Sequence, residues 1–369
     1  MSTMHEALGP CPRPVPSPRP DLETIAFDWD RGGWNNIVMG VEVMVCLARM
    51  FDRALVMPDA AKWYFLSGET HLFDFYDEAT FKSFVPTSQP KAGTEWIAKG
   101  KFFKDGVLDL DEIRKHREAD HWVFPKDTRM FSYFPLAFTQ PKPALRRSLL
   151  RLWSLTFGPI AARKATALSR RNNALIRNSL RIRSELIDKA IELLDEHDLR
   201  TGEFVALHVR RNDFQYEEVL ERRCDDIADH VTKDTGPEKP ILILSDVYDQ
   251  ELIDCIRSRG NRVVCWSQKE HEGKKVKSNR NDAFYSETVS KEGIVLDMLC
   301  AAAAARFHGS PSSTFSSRIA LWRGLLSRID PRIDDTLHYT MPFTDDEFGT
   351  AKYWWSAVDR SYWTDIPAA

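Results

Sequence analysis

Several sequence features that would assign a function directly are missing from this chain of 369 residues. Its six cysteines form no CxxC pair and no group with histidines, which argues against a structural zinc site. No GxGxxG or P-loop spacing occurs, which argues against an NAD-dependent dehydrogenase and a P-loop nucleotidase. Basic and acidic residues number 51 and 54, so the global charge favours neither nucleic acid nor an anionic membrane as a partner.

The first twenty residues contain no apolar segment of the kind that signal peptides and membrane anchors need. They hold the proline-rich run PCPRPVPSPRP instead, so we expect residues 1–21 to form a disordered tail. No N-x-S/T sequon marks the chain for N-glycosylation. The compartment, cytoplasmic or lumenal, stays open, as do the oligomeric state and a disulfide among Cys224, Cys255 and Cys265.

What the chain does have is a globular composition, with 43% hydrophobic and 11% aromatic residues, and a length sufficient for two domains. Its first ordered stretch predicts a strand at Thr24–Asp30, a helix at Asn36–Phe51 and a strand at Ala54–Pro58, with a glycine turn before the helix. Strand, helix and strand in this order form a βαβ unit, which requires a parallel sheet. Asn35 and Asn36 at the helix start act either as an N-cap or as a polar pair that faces a cleft.

The second half of the chain repeats this alternation. It predicts strands at Phe204–Val209, Ile241–Ser245, Val263–Trp266 and Arg306–Gly309, and helices at Asp249–Arg259, Lys291–Ala305 and Ile319–Leu326. The segment between the halves is aromatic-rich from Trp63 to Pro141, then helical and basic from Ala144 to Glu196. We expect most of its arginines to lie on solvated helix faces, with an acidic acceptor or a nucleic acid as the alternative partner. The whole pattern predicts the α/β class with parallel sheets.

Charged side chains cluster where the strand at Phe204–Val209 ends. They are His208, Arg210, Arg211 and Asp213. Ligands of open α/β sheets bind beyond the carboxyl ends of the strands, and two arginines offer charged forks that suit phosphate oxygens. The cluster therefore predicts an anion site for a nucleotide pyrophosphate, with a solvated surface turn as the alternative.

Hydroxyl groups crowd the segment Ser310–Gly324, at the start of the helix predicted for Ile319–Leu326. Hydroxyls and the free backbone N–H groups of a helix start bind anions readily, and Arg318 adds positive charge. This segment therefore predicts a second part of the anion site. A plain serine or threonine N-cap is the alternative.

Three separated stretches stand out for their order and spacing. They are GGWNN at 32–36, HVRRNDF at 208–214, and the run from GIVLDML at 293–299 to STFSSRIA at 313–320. Together they resemble the GDP-fucose protein O-fucosyltransferase family, over about Thr24–Pro58 and Phe204–Gly324. The resemblance implies a glycosyltransferase B-type fold of two facing Rossmann-like domains with parallel sheets. It also implies an inverting, metal-independent transfer of fucose from GDP-fucose to a hydroxyl of a protein or glycan acceptor.

The resemblance implies a domain order as well. Residues 22–196 would form the acceptor-side domain, residues 197–340 the domain that binds the GDP-sugar, and residues 341–369 a tail that packs back on the first domain. GDP-fucose is then a donor substrate, and no cofactor, metal, nucleic acid or membrane segment is expected. Asp28 and Asp30 form a DxD pair, which holds a metal in glycosyltransferases of another fold. Both lie in a predicted strand, however, so we expect a structural role for them.

Several residues take a role through the resemblance. Arg210 would bind the pyrophosphate and stabilise the charge that develops on the leaving GDP. His208 and Asp297 would contact the guanosine portion, and Asn35 would lie near fucose and acceptor. Further donor contacts would come from Gly33, Asn36, Arg211, Thr314, Phe315, Ser316 and Ser317.

For the catalytic base, the resemblance offers more than one candidate residue. Some members carry a glutamate in the first glycine turn, where this chain has Gly32. Related α1,6-fucosyltransferases carry a glutamate five residues after the aspartate of HVRRxD, which corresponds to Glu218 here, with Asp213 and Asp30 as the next candidates. Their lysine after that aspartate is Phe214 here. The alternatives are a B-type transferase for another nucleotide sugar, and a degenerate protein that binds nucleotide or glycan without turnover.

Overall fold

A computed structural model describes residues 2–11, 22–30, 33–63, 66, 68–99, 103–104, 107–108, 110–128, 174–210, 223–233, 235–245, 249–266, 291–310 and 313–339. These residues fall into two compact units. The N-terminal unit holds the described residues from Pro10 to Arg183, and the C-terminal unit holds those up to Gly9 and from Ser184 onward. None of the helices in the described ranges is long and apolar enough to cross a membrane.

The chain begins with a short helix, α1 (Thr3–Leu8), which belongs to the C-terminal unit. The Ser2 hydroxyl caps it by accepting a hydrogen bond from a first-turn N–H at 3.3 Å, and the side chains of Met4 and Leu8 are buried. This differs from the disordered tail expected at the start of the chain, because apolar burial against the unit orders a segment too short for its periodicity to be recognised. Residues 12–21, which carry most of the proline-rich run, lie outside the described residues.

The N-terminal unit contains a four-stranded parallel sheet in the order β2-β1-β8-β5. The strands of the whole unit are β1 (Thr24–Phe27), β2 (Ala54–Val56), β3 (Ala61–Lys62), β4 (Glu69–Thr70), β5 (Glu95–Ile97), β6 (Phe103–Lys104), β7 (Val107–Leu108) and β8 (His121–Phe124). Its helices are α2 (Trp34–Met50), α3 (Glu78–Phe84) and α4 (Leu110–Arg114), and residues 174–179 are also helical. Strands β3 with β4 and β6 with β7 form two small antiparallel pairs. The predicted βαβ unit of β1, α2 and β2 is confirmed.

Helix α2 is buried along nearly its whole length, as its run of valines and methionines predicts. It begins at Trp34, with Gly33 as N-cap and no side-chain capping bond. Asn35 is buried and Asn36 half-buried, both in the first turn. The N-cap interpretation of the asparagine pair is therefore wrong.

A buried arginine closes the amino-terminal edge of this sheet. Arg53 is 2% exposed, and its guanidinium lies 3.8 Å from the ring centroid of Trp122. It donates hydrogen bonds to the carbonyl oxygens of Thr24 at 3.2 Å, Arg117 at 2.9 Å and Ala119 at 2.8 Å. These bonds tie the start of β1 to the segment before β8, at the edge opposite to the one where ligands of such sheets bind.

The C-terminal unit contains a five-stranded parallel sheet in the order β11-β10-β9-β12-β13. Its elements are α5 (Ser184–Glu196), β9 (Val205–Val209), α6 (Cys224–Thr232), β10 (Ile241–Ser245), α7 (Gln250–Arg257), β11 (Val263–Val264), α8 (Gly293–Ala302), β12 (Arg306–Gly309), α9 (Thr314–Leu326) and β13 (Leu337–Tyr339). Counted within the unit this is the order 3-2-1-4-5 of Rossmann-like domains. The predicted α/β class, with two Rossmann-like units built on parallel sheets, is confirmed.

The structure draws two boundaries differently from the sequence. Helix α5 belongs to the C-terminal unit because it packs against α8, where the Cys300 thiol lies 3.5 Å from the Ala190 carbonyl oxygen. Helix α9 begins at Thr314 rather than Ile319, because the hydroxyl-rich residues form its first turn instead of preceding it. Residues 341–369, the expected tail, lie outside the described residues.

The alternation of side chains along β9 decides which residues reach the candidate site. Leu207 and Val209 lie in an apolar core with side chains of α6 and α7. Successive side chains of a strand point to opposite faces, so His208 points to the other face, where it meets α9. The six cysteines are all free, so no disulfide joins Cys224, Cys255 or Cys265.

Candidate functional site

The candidate site lies in the C-terminal unit, where β9 and β12 end beside the start of α9. The two strands pair in parallel, with His308 opposite Leu207. The residues that follow, Arg210 on one strand and Ser310 on the other, therefore leave the sheet at the same edge. The structure brings His208, Arg210 and the first turn of α9 together there.

His208 is a buried, neutral imidazole. Its Nδ1 lies 2.8 Å from the Ser316 hydroxyl, and its ring centroid lies 4.6 Å from that of Phe315. Burial, reinforced by the positive charge of Arg210, holds the pKa of His208 well below its usual range. At neutral pH the ring therefore offers one donor and one acceptor nitrogen, and Ser316 engages one of them.

Arg210 is half-buried, and its backbone is fixed by a hydroxyl from the neighbouring strand. The Ser310 hydroxyl accepts a hydrogen bond from the Arg210 N–H at 3.1 Å and donates one to the His208 carbonyl oxygen at 2.9 Å. Ser310 is 1% exposed. The backbone from which the Arg210 side chain extends is thus held by Ser310 without a ligand.

The first turn of α9 supplies backbone donors rather than a capped helix end. Ser313 is the N-cap, yet its side chain makes no capping hydrogen bond, and the first turn contains no acidic residue. The Ser317 hydroxyl donates to the Ser313 carbonyl oxygen at 3.1 Å. Because first-turn N–H groups have no partner inside a helix and carry its partial positive charge, they favour an anion. A serine does occupy the N-cap position, but its side chain makes no capping bond, and the hydroxyls of Ser310, Ser316 and Ser317 bond to other groups.

Gly309 permits the close approach of α9 to β12, and sequence analysis did not single it out. A Cβ atom at Gly309 would lie 2.9 Å from both the Cβ and the Oγ of Ser316, closer than such atoms pack. The contact that brings Ser316 to His208 therefore requires glycine at this position. Its only sequence signal is its place at the end of a predicted strand.

Asp297 on α8 is held by a tryptophan that sequence analysis also missed. Its Oδ1 accepts a hydrogen bond from the Trp266 indole N–H at 2.9 Å, and the Trp266 ring stacks on His197 with centroids 5.1 Å apart. Burial raises the pKa of Asp297 to about 6, and the Trp266 hydrogen bond acts in the opposite direction. The carboxylate is therefore ionised at neutral pH but titrates close to it.

The two acids of the DxD pair, Asp28 and Asp30, lie in the N-terminal unit. Asp30 is buried, with Oδ2 2.6 Å from where a Cβ atom of Gly40 would be, so it lies flat against α2. Asp28 accepts a hydrogen bond from the Lys126 N–H at 3.1 Å. The two acids of the DxD pair thus have different surroundings. Within the described ranges, no group of three or more histidine, cysteine or acidic side chains is arranged to hold a metal.

Three of the predicted site residues, Arg211, Asp213 and Glu218, lie outside the described part of the chain. Both leading candidates for a catalytic base are among them. Their roles stay predictions.

Comparison with known proteins adds a family to this geometry. The model of the GDP-fucose protein O-fucosyltransferase family matches residues 25–326. Among solved structures, the chain is similar to POFUT1 in complex with GDP, at 14% identity over 83% of this chain and 96% of that one, with a TM-score of 0.46. It is similar to the Bradyrhizobium NodZ alpha-1,6-fucosyltransferase co-crystallised with GDP, at 14% identity over 82% and 92%, with a TM-score of 0.46. No curated protein matches the chain.

The family match contains the complete arrangement described above. It runs from β1 to the end of α9, and it includes the ends of β9 and β12, Arg210 and Asp297. The resemblance seen in three short stretches of sequence thus extends over most of the chain. This protein belongs to the GDP-fucose protein O-fucosyltransferase family, and is a GDP-fucose-dependent glycosyltransferase.

Proposed function

We propose that the protein transfers fucose from GDP-fucose to a hydroxyl of a protein or glycan acceptor, with inversion at the anomeric carbon and without a metal ion. The observation that carries the proposal is the place of Arg210, whose backbone N–H is held by Ser310 at the edge of the sheet where β9 and β12 end and α9 begins. Such a group is suited to the pyrophosphate of a sugar nucleotide, because it is always charged and forked.

Arg210 acts on the leaving group in this proposal. When the bond between fucose and phosphate breaks, negative charge grows on the GDP oxygens. A cation held in place before the reaction stabilises that charge more in the transition state than in the ground state. The N–H groups of Thr314, Phe315 and Ser316, with the neighbouring Arg211, share the pyrophosphate charge that a metal ion carries in other transferases.

Asp297 and His208 select the nucleoside. The carboxylate of Asp297 can accept two hydrogen bonds from the N1–H and exocyclic amine of guanine, a pair that adenine and uracil do not offer together. The Trp266 hydrogen bond fixes the direction of this carboxylate. His208, neutral and buried, offers its second nitrogen to the ribose or phosphate.

The N-terminal unit serves the acceptor. Gly33, Asn35 and Asn36 lie at the start of α2, beyond the carboxyl end of β1, where amide side chains can contact the sugar and the incoming hydroxyl. Glu218 is our first candidate for the base that deprotonates this hydroxyl, and Asp213 is the second.

The test compares GDP-fucose hydrolysis by the wild type with that by Arg210→Ala. We expect kcat to fall about 100- to 1000-fold, the usual effect of removing a transition-state donor. Arg332→Ala is the matched control, because Arg332 lies on the surface of the same unit, paired with Asp330 and Glu203.

Equal activity in Arg210→Ala and Arg332→Ala would contradict the role of Arg210. Thermal stabilisation of the wild type by UDP-sugars rather than GDP-fucose would show that the donor is a UDP-sugar. Binding of GDP, with neither hydrolysis of GDP-fucose nor transfer to any acceptor of a broad set, would favour the degenerate binding protein.

A further inference from the structure

We propose that Ser310 is the positioning residue for Arg210: its hydroxyl replaces a backbone ladder bond and fixes the arginine relative to the start of α9. The inference rests on the proposed function, in which Arg210 acts on the pyrophosphate. Ser310 itself touches no substrate in this account.

The register of the sheet identifies what the Ser310 hydroxyl replaces. Strand β12 pairs with β9 so that Phe307 lies opposite Ala206 and His308 opposite Leu207. Continued past the end of β12, the same register sets Ser310 opposite Val209. In a parallel ladder, every second residue of a strand bonds to the two neighbours of the residue that it faces. For Ser310 these neighbours are His208 and Arg210. The Val205 N–H bonds to the Pro240 carbonyl oxygen on the β10 side, so His208 and Arg210 are among the residues that bond toward β12.

Ser310 makes both of these bonds with its side chain. The hydroxyl donates to the His208 carbonyl oxygen at 2.9 Å, as a backbone N–H would, and accepts from the Arg210 N–H at 3.1 Å, as a backbone carbonyl would. Its burial excludes water from either bond. The hydroxyl therefore extends the ladder to Arg210, although the regular pairing of β12 has already ended.

The backbone of Ser310 is thereby left for the turn that leads into α9. The next residue, Pro311, has no N–H and could not continue a ladder. The Ser310 carbonyl oxygen accepts a hydrogen bond from the N–H of Ser313, the N-cap of α9, at 3.4 Å. One residue thus holds both anion-binding parts of the site, Arg210 through its hydroxyl and the helix start through its carbonyl group.

The chemistry of this position limits what can replace serine. The side chain must be both donor and acceptor on one carbon, which threonine satisfies and cysteine satisfies only weakly. Alanine satisfies neither role and leaves two buried backbone groups without partners. The loss should show in the rate, because a catalytic group displaced by about 1 Å costs up to about 100-fold.

The experiment uses the full chain with Ser310→Ala, Ser310→Thr and Thr235→Val. Thr235→Val is the matched control, because it removes a buried hydroxyl of the same unit that bonds to the Val231 carbonyl oxygen within its own helix end. We expect Ser310→Ala to lower kcat for GDP-fucose hydrolysis about 10- to 100-fold, with a smaller change in KM, and Ser310→Thr to recover most of it. Thr235→Val should keep the wild-type kcat. If Ser310→Ala does not fold, Ser310→Cys should give an intermediate kcat.

Hydrogen exchange at the Arg210 amide provides a readout that does not depend on turnover. In Ser310→Ala this amide should lose protection, while the amides of β10 keep theirs. Unchanged kcat, or unchanged protection at Arg210, would overturn the inference. A wild type that neither binds nor hydrolyses GDP-fucose would overturn the proposed function instead, and the exchange result would still decide whether Ser310 holds the Arg210 backbone.

Discussion

At the scale of single residues, burial rather than charge pairing sets the protonation states of the candidate site. His208 is kept neutral by its place behind β9, and Asp297 is brought close to neutrality by burial that its Trp266 hydrogen bond only partly offsets. Both groups gain a directed hydrogen bond from this arrangement. The same shift makes Asp297 sensitive to pH near the physiological range.

Affinity for GDP-fucose should weaken as the pH falls below about 6. Only the carboxylate form of Asp297 accepts two hydrogen bonds from guanine, and its pKa is about 6. GDP-fucose is the suitable probe because it has no terminal phosphate that titrates in this range. Calorimetric titration from about pH 5 to about pH 8 measures the effect. An Asp297→Asn variant should bind more weakly at the upper pH and show no such slope, and a slope equal to that of the wild type would assign the titration to another group.

The contribution of Asp297 to stability has the opposite pH dependence. Its pKa is 3.8 in the reference state and about 6 in the fold, so between these values the folded chain binds more protons than the unfolded chain. The stability that this group supplies is therefore complete below 3.8 and is lost as the pH rises through about 6. The protonated form of Asp297 thus favours folding, whereas the carboxylate form is the one that accepts two hydrogen bonds from guanine.

At the scale of elements, α9 is held at both ends. Its first turn packs against the ends of β9 and β12, and near its last turn the buried side chain of Arg323 reaches the end of α8. The guanidinium donates to the carbonyl oxygens of Ala302 at 3.2 Å, Ala304 at 2.6 Å and Ala305 at 2.9 Å. A cation at a helix carboxyl end is favourable, and the small alanine side chains leave room for it.

Replacing Arg323 by methionine should destabilise the protein strongly. The change keeps much of the volume but removes the guanidinium donor of the Ala302 and Ala304 carbonyl oxygens, at about 1–3 kcal/mol each, whereas the Ala305 carbonyl oxygen keeps its bond from the Asp334 N–H. We expect a total loss of about 3 kcal/mol or more in the free energy of unfolding, measured by urea denaturation. Arg114→Met, which removes an ion pair with Asp111 in which both side chains are more than half exposed, should lose less than about 1 kcal/mol. Equal losses would mean that the contacts of Arg323 are not the cause.

The elements of the fold were readable from the sequence wherever an apolar run had a clear period. Strands β9, β10 and β12 agree with their predictions to within a residue, and the charged end of β9 marked the candidate site. Gly309 and Trp266 were not identified as site residues, and Ser310 was predicted only as one hydroxyl of its segment, because their roles depend on which residue lies opposite or stacks against them. Register, close approach and stacking are properties of the assembled sheet and leave no mark on a single sequence.

At the scale of the whole molecule, the C-terminal unit is assembled from two separated parts of the chain. Helix α1 packs against α9 and α5, although the N-terminal unit comes between them in sequence. The imidazole of His5 is 2.8 Å from the Asp188 carboxylate on α5, while Met4 and Leu8 fill the apolar contact. The helix that carries the candidate anion site is therefore supported by the first residues of the chain.

Truncating the apolar side of α1 should lower the stability of the C-terminal unit. Met4 is 2% exposed, and Met4→Ala should cost about 2–5 kcal/mol through lost burial and an unfilled cavity. His5→Ala on the same helix, which removes only a partly exposed contact with Asp188, should cost less than about 1 kcal/mol. Thermal unfolding of the full chain distinguishes the two. Equal midpoints for Met4→Ala and the wild type would show that α1 adds nothing to the unit.

The separation of α1 from its partners has a consequence for biosynthesis. Domains generally fold as units in the order in which the ribosome releases them. Residues 2–9 leave the ribosome before the N-terminal unit, but the surfaces of α5 and α9 that cover Met4 and Leu8 are made only after residues 10–183. The apolar side chains of Met4 and Leu8 therefore stay uncovered in the nascent chain until α5 and α9 have been made, and the unit with the candidate site closes only after α9 has emerged.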